Sequence, residues 1–227
     1  ELRSYFNSPI AYVFLVLFLG AALAFFFHDV WAVGQANLRG LFDMLPLLMV
    51  FLVPALTMRL WSEERKVGTF EVLLTLPLTG AEVVVGKFLA SLALVGLALA
   101  LTGGTAITMA AVGTLDWGPV IGGYCAALLL GAAYLAIGLL VSSLTENQIL
   151  AFLATLAVCF ALWLVGEEFV TKLFPVSVAG ALEKVGTGAR FRSVGRGVLD
   201  LGDLAYYATL VVSALAANAF TLEWRKG

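Results

Sequence analysis

The fold is decided by a charged stretch that lies between two long apolar runs: Arg59-Leu-Trp-Ser-Glu-Glu-Arg-Lys-Val-Gly-Thr-Phe-Glu-Val-Leu-Leu-Thr-Leu-Pro-Leu-Thr-Gly-Ala-Glu82. Ser62 is a favoured N-cap residue, and Glu63 and Glu64 would meet the positive end of the helix dipole. Pro77 ends the pattern because proline breaks a helix. We therefore predict an amphipathic helix over residues 62–76, whose apolar stripe is formed by Val67, Phe70 and Leu74.

A second helix start follows directly. Thr79 and Glu82 have the Thr-x-x-Glu spacing of a capping box, in which each residue satisfies a free backbone N–H of the other. A passive connector between two membrane segments needs only a few polar residues. This connector is instead predicted to present a structured face to a partner.

The composition excludes a soluble globular domain. The chain has 227 residues, of which 62% are hydrophobic and only 12% charged, and its mean hydropathy is +1.02. These charged residues are too few to cover a water-soluble surface. One histidine and two cysteines do not suffice for a rich metal or disulfide framework. The sequence indicates an all-α integral membrane protein.

Six apolar stretches are long enough, or nearly so, to cross a hydrocarbon layer of about 30 Å. They cover residues 11–27, 41–60, 84–112, 119–142, 148–166 and 204–222. Residues 1–10 read either as an amphipathic helix at the interface or as the polar start of the first span. Residues 167–203 are polar and are predicted to form short helical pieces outside the spans. Small residues in spans three and four predict close packing against other helices, and Gly118 with Gly122 has the Gly-x-x-x-Gly spacing.

The charge distribution does not settle the orientation. With both ends inside, the numbers of lysines and arginines on the two sides are nearly equal. The positive-inside rule leans toward both termini lying inside.

Catalytic motifs are weak in this sequence. Residues 80–87 resemble a phosphate-binding loop, but five residues separate Gly80 from Gly86, and Phe88 follows Lys87 where Ser or Thr is needed. We therefore interpret this segment as a helix start with a lysine flanking the membrane, and we do not expect the chain to hydrolyse ATP. The adjacent Glu167 and Glu168 lack a nucleophile or metal ligand at a defined spacing, so an enzymatic site is disfavoured.

The arrangement resembles the ABC-2 type of ABC transporter permease. The likeness begins at residues 1–12, is strongest over residues 63–78 and continues to Gly86 and Lys87. A further match at residues 191–203 is similar to the gliding-motility-type branch of permeases. The resemblance implies six transmembrane helices in the bacterial inner membrane, an N-terminal interfacial helix, cytoplasmic termini, and an extracytoplasmic loop over 167–203.

The resemblance also implies partners. In the family, the segment that matches residues 62–79 is a cytoplasmic coupling helix that docks into a separate ATPase subunit. The expected contacts are Glu63, Glu64, Arg65, Phe70, Glu71 and Leu74, with Phe70 as the apolar anchor. We expect no cofactor on this chain, ATP and Mg in the partner ATPase, a second permease copy, the lipid bilayer around both, and no nucleic acid.

Alternatives stay open. Arg190, Arg192 and Arg196 could bind an anionic substrate or an extracytoplasmic accessory protein, or could pair with Glu183, Asp200, Asp203 and lipid head groups. An ion-coupled transporter would need intramembrane charges, and the single candidate, Asp43, lies near a span end. A non-transporting scaffold that tethers an ATPase or an envelope machine shares every feature except a translocation path. The sequence does not name the substrate.

Overall fold

The chain forms a bundle of long helices. The computed structural model describes residues 9–33, 38–68, 79–113, 115–197 and 200–224. The ten helices in these ranges are α1 (Pro9–Val33), α2 (Arg39–Thr57), α3 (Ser62–Val67), α4 (Gly80–Val112), α5 (Trp117–Leu144), α6 (Gln148–Val165), α7 (Glu168–Thr171), α8 (Val176–Val185), α9 (Thr187–Gly195) and α10 (Leu201–Trp224).

Within the described residues, six helical segments are long and apolar enough to cross a membrane, as the sequence predicts. They are Ala11–Trp31, Arg39–Lys66, Gly80–Val112, Trp117–Leu144, Gln148–Val165 and Leu201–Trp224. Successive spans run in opposite directions, so the bundle has two ends. The end that carries α3 is called the α3 end, and the end that carries α7, α8 and α9 is called the α9 end.

Helix α5 is the centre of the bundle, and it packs against α2, α4, α6, α9 and α10. Its contact with α2 depends on glycine. A Cβ added at Gly123 would lie 2.6 Å from the Phe42 ring, and one added at Gly138 would overlap the Thr57 hydroxyl. Without side chains at these positions the two backbones approach closely, which is how helices associate where no hydrophobic force drives them.

Local start and stop signals behave partly as predicted. The capping box forms at α4: the backbone N–H of Glu82 donates to Thr79 Oγ1 at 3.3 Å, and the backbone N–H of Thr79 donates to Glu82 Oε2 at 2.8 Å. The prediction for Ser62 is wrong, because Ser62 is the first helical residue and the preceding Trp61 occupies the N-cap position without a side-chain cap.

The predicted helix over 62–76 is also interrupted. Gly68 adopts a left-handed conformation with φ of 79° and closes α3 after Val67. Glycine carries no steric penalty in that conformation, so it commonly terminates helices. Residues 1–8 and 69–78 lie outside the described residues, and with them most of the predicted interfacial helix and the predicted contacts Phe70, Glu71 and Leu74.

The segment between α6 and α10 folds back against the bundle. Thr187, Phe191 and Val194 are buried along one face of α9, at positions i, i+4 and i+7. The Tyr134 and Thr187 hydroxyls lie 2.8 Å apart, and the Tyr207 hydroxyl donates to the Thr187 carbonyl at 3.0 Å. Helix α9 is thus packed on α5 and is not a surface loop.

Candidate functional site

The first candidate site lies at the α3 end, where α3 is tied to the last turn of α5. The backbone N–H groups of Trp61 and Ser62 donate to Ser142 Oγ at 3.2 and 3.4 Å. The Ser142 hydroxyl itself donates to the Met58 carbonyl at 3.3 Å. One hydroxyl can accept twice and donate once, so a single buried serine holds the chain as it enters α3.

An ion pair ties α3 to α4 as well. Lys87 Nζ lies 2.5 Å from Glu64 Oε1, and the ammonium sits 4.9 Å from the centre of the Trp61 ring. Lys87 is only 2% exposed, so it lies in the interior and does not simply flank the membrane. A buried ammonium is costly unless a carboxylate and an aromatic face compensate it. Glu64 and Trp61 supply both.

The predicted ATPase-contact residues in α3 therefore differ in their surroundings. Glu63 is exposed, Arg65 is partly buried, and Glu64 is 29% exposed and directed at Lys87. Sequence reasoning missed Lys87, Trp61 and Ser142 as partners of this helix. Ser142 is 80 residues from Ser62, and Lys87 is 23 residues from Glu64. Local spacing in the sequence therefore gives no signal for these contacts.

The second candidate site lies at the α9 end and contains the predicted arginines. Arg190 Nη1 donates to Asp203 Oδ1 at 2.8 Å, and Nε and Nη2 donate to the Lys184 carbonyl at 2.9 and 2.8 Å. Its guanidinium carbon lies 4.3 Å from the Tyr206 ring centre. Arg190 thus joins α9 to both the end of α8 and the start of α10.

Arg192 and Arg196 have different surroundings. Arg192 Nη1 donates to both Glu167 carboxylate oxygens at 2.7 and 2.8 Å, and its Nη2 donates to the Gly166 carbonyl at 2.9 Å. Arg196, at the end of α9, is exposed. The sequence pointed to Asp203 as an arginine partner but did not pair Glu167 with Arg192.

The adjacent acidic residues Glu167 and Glu168 are each paired with a different cation. Lys172 Nζ donates to Glu168 Oε2 at 3.0 Å across one turn. The hydrogen bond and the charge of Lys172, with a smaller effect of Arg192, hold the pKa of Glu168 below its usual value. Both carboxylates are therefore engaged by cations of the same chain.

A cavity of about 550 Å³ opens beside these ion pairs. Its walls come from α2, α6, α7 and α9. The sequence singled out Asp43, Glu167, Glu168 and Arg192 separately, but it did not indicate that they line one cavity together with aromatic residues. The lining residues are Asp43, Pro46, Trp163, Glu167, Glu168, Phe169, Lys172, Gly188, Phe191 and Arg192.

Six candidate spans, one of which is the glycine-lined central helix α5, and a short helix α3 tied to two of its neighbours define a multi-pass helical membrane protein. Comparison with known proteins then identifies the family: the model for the ABC-2 family transporter protein matches residues 6–182. The chain belongs to the ABC-2 family of transporter proteins. No match was found among curated proteins.

The family match supports a non-catalytic membrane subunit, since ABC-2 family membrane proteins generally work with ATPase subunits. The matched residues end within α8, so α9 and α10 lie beyond them. The resemblance of residues 191–203 to the gliding-motility-type branch is not confirmed.

Proposed function

We propose that this chain is the permease subunit of an ATP-driven exporter in the bacterial inner membrane. In this proposal the α3 end and both termini are cytoplasmic, and the α9 end faces the opposite side. A second copy or a related chain completes the translocation path. ATP and Mg bind to separate ATPase subunits, and this chain binds neither.

The observation that carries the proposal is the double attachment of α3. Ser142 fixes its start to α5, and the Glu64–Lys87 pair fixes its first turn to α4. A helix held in this way moves with the spans on either side of it. When the ATPase pair closes on ATP, displacement of α3 would be passed to α4 and α5. Such coupling needs an ATPase that engages α3 differently in its two states.

Within this proposal the predicted contact residues have two roles. Glu63 and Arg65 belong to the docking surface, together with Phe70 as its apolar anchor and Glu71 and Leu74 beside it. Glu64 acts from the inside, by holding α3 against Lys87. Arg196 contacts an extracytoplasmic accessory protein, whereas Arg190 and Arg192 stabilise the packing of the α9 end.

The test is co-purification of the chain with a co-expressed ABC ATPase subunit in mild detergent, followed by ATP turnover. Phe70→Asp should abolish the complex, because a carboxylate cannot occupy an apolar socket, while membrane insertion is unchanged. Glu63→Lys should weaken it, since it reverses a charge at the rim of the docking surface. Glu146→Lys is the matched control, as Glu146 is exposed in the α5–α6 connection at the same end of the bundle.

Full recovery of the complex from Phe70→Asp would refute the docking assignment. Equal losses from Glu63→Lys and Glu146→Lys would show that only overall charge matters. ATP-dependent movement of a substrate into vesicles separates an exporter from a scaffold, which would bind the ATPase without transport.

A further inference from the structure

The cavity at the α9 end has the size of a small-molecule site. Its volume of about 550 Å³ lies within the ~300–1,000 Å³ range typical of ligand pockets. Asp43 and Pro46 come from α2, Trp163 from α6, Phe169 from α7 and Arg192 from α9. Because four helices contribute, the cavity depends on the packed bundle and not on one mobile loop.

The carboxylates that line the cavity outnumber the cations that line it by one. Arg192 is engaged by Glu167 and the Gly166 carbonyl, and Lys172 is engaged by Glu168. Asp43 is exposed and makes no hydrogen bond or ion pair of its own with the residues that the structure describes. The positive charges of Arg39, one turn earlier on α2, and of Arg192 attract Asp43, but Arg39 does not line the cavity. The lining groups together carry one net negative charge.

The remaining walls are aromatic. Trp163, Phe169 and Phe191 line the same space, and Pro46 adds an apolar surface beside Asp43. Aromatic faces attract cations and also accept apolar groups. An anion would meet Asp43 and two arginine- or lysine-bound carboxylates, whereas a small inorganic cation would leave the aromatic surface unused.

We propose that this cavity binds a lipophilic organic cation, with its charged centre at Asp43 and its apolar body against Trp163 and Phe169. The role of the ligand as a transported substrate rests on the proposed function. Binding itself rests only on the cavity and requires no ATPase, so the two proposals can fail separately.

The experiment uses the full chain alone, reconstituted in lipid nanodiscs, with tetraphenylphosphonium as the probe. We expect saturable binding above that of empty nanodiscs, and at least about tenfold weaker binding to Asp43→Asn, since the variant keeps the shape and removes the charge. Asp116→Asn is the matched control. Asp116 caps α5 at the same end by accepting from the Gly118 N–H, does not line the cavity, and can be replaced by Asn as a cap.

A second pair of variants tests the aromatic wall. Trp163→Leu should weaken tetraphenylphosphonium binding, whereas Trp31→Leu, at an 86% exposed tryptophan in α1, should not. Tetraphenylborate, an anion of nearly the same shape, should show no saturable binding.

Three results would overturn the proposal. They are binding no greater than that of empty nanodiscs, equal binding of tetraphenylborate, and equal effects of Asp43→Asn and Asp116→Asn. The first would mean that the cavity holds no such ligand, the second that charge does not select it, and the third that binding occurs elsewhere.

Discussion

Lys87 Nζ lies 2.5 Å from Glu64 Oε1, which joins the second turn of one membrane-spanning helix to a helix of only six residues. The lysine is 2% exposed and would be unstable in the interior without that carboxylate. The pair is therefore both a structural requirement of α4 and the attachment of α3.

Lys87→Met should destabilise the chain, because it removes the ammonium from a carboxylate that is only 29% exposed. A fully buried pair broken from one side costs about 3–5 kcal/mol, and the partial exposure of Glu64 lowers our expectation to about 1–3 kcal/mol. The loss of stability is measured as the decrease in the free energy of unfolding in mild detergent. Lys172→Met is the control, since its pair with Glu168 is exposed and should leave the unfolding free energy unchanged. Similar stabilities of the two variants would contradict the structural role of Lys87.

Ser142→Ala should loosen α3 without unfolding the bundle. The backbone N–H groups of Trp61 and Ser62 would lose their acceptor, at a cost of about 1–3 kcal/mol for unsatisfied buried donors. Hydrogen exchange of residues 61–67 should accelerate. Ser143→Ala is matched in chemistry and burial, but Ser143 donates only within its own helix, to the Leu140 carbonyl. Unchanged exchange in Ser142→Ala would show that other contacts suffice to hold α3.

Gly138→Ala should be destabilising because the added methyl group would overlap the Thr57 hydroxyl at the α2–α5 contact. Overpacking of this kind costs about 1–3 kcal/mol. Gly104→Ala in α4 meets no atom within 4 Å and should be neutral or slightly stabilising, as expected for alanine in a helix. Thermal unfolding of both variants in the same detergent compares their stabilities. A neutral Gly138→Ala would mean that α2 can shift at no cost.

Thr187→Val should destabilise the packing of α9 by leaving the buried Tyr134 hydroxyl without its 2.8 Å partner. Combining it with Tyr134→Phe should recover much of the loss, since both polar groups are then absent. A double-mutant cycle should give a coupling of about 1 kcal/mol. Strictly additive effects would indicate that the two hydroxyls do not interact.

The six candidate spans could be predicted from the sequence because a span in lipid needs an uninterrupted apolar run, which is a local property. The capping box of Thr79 and Glu82 is local as well. Gly68 also carried a local signal, as a glycine following a basic turn, but the apolar stripe through Val67 and Phe70 concealed it. The pairing of Lys87 with Glu64 could not be found in this way, because it depends on how α4 packs beside α3.

The α9 end illustrates the same limit. Thr187, Phe191 and Val194 have helical spacing, and that pattern could have indicated a buried face. The glycines and arginines of residues 167–203 instead favoured the interpretation as a solvated loop. Arg190 and Arg192 are engaged within the chain because α8, α10 and the end of α6 converge there, and such convergence is not encoded in any one segment.

The unequal lengths of α5 and α6 bear on the surrounding lipid. The 28 residues of α5 extend about 42 Å and the 18 residues of α6 about 27 Å, with α9 occupying the space beyond α6. Lipid beside α6 therefore meets a hydrophobic surface slightly shorter than an average bilayer, whereas α4 offers a longer one. A membrane around this protein should be thinner beside α6 than beside α4. A change in bilayer thickness should then change the tilt of the bundle.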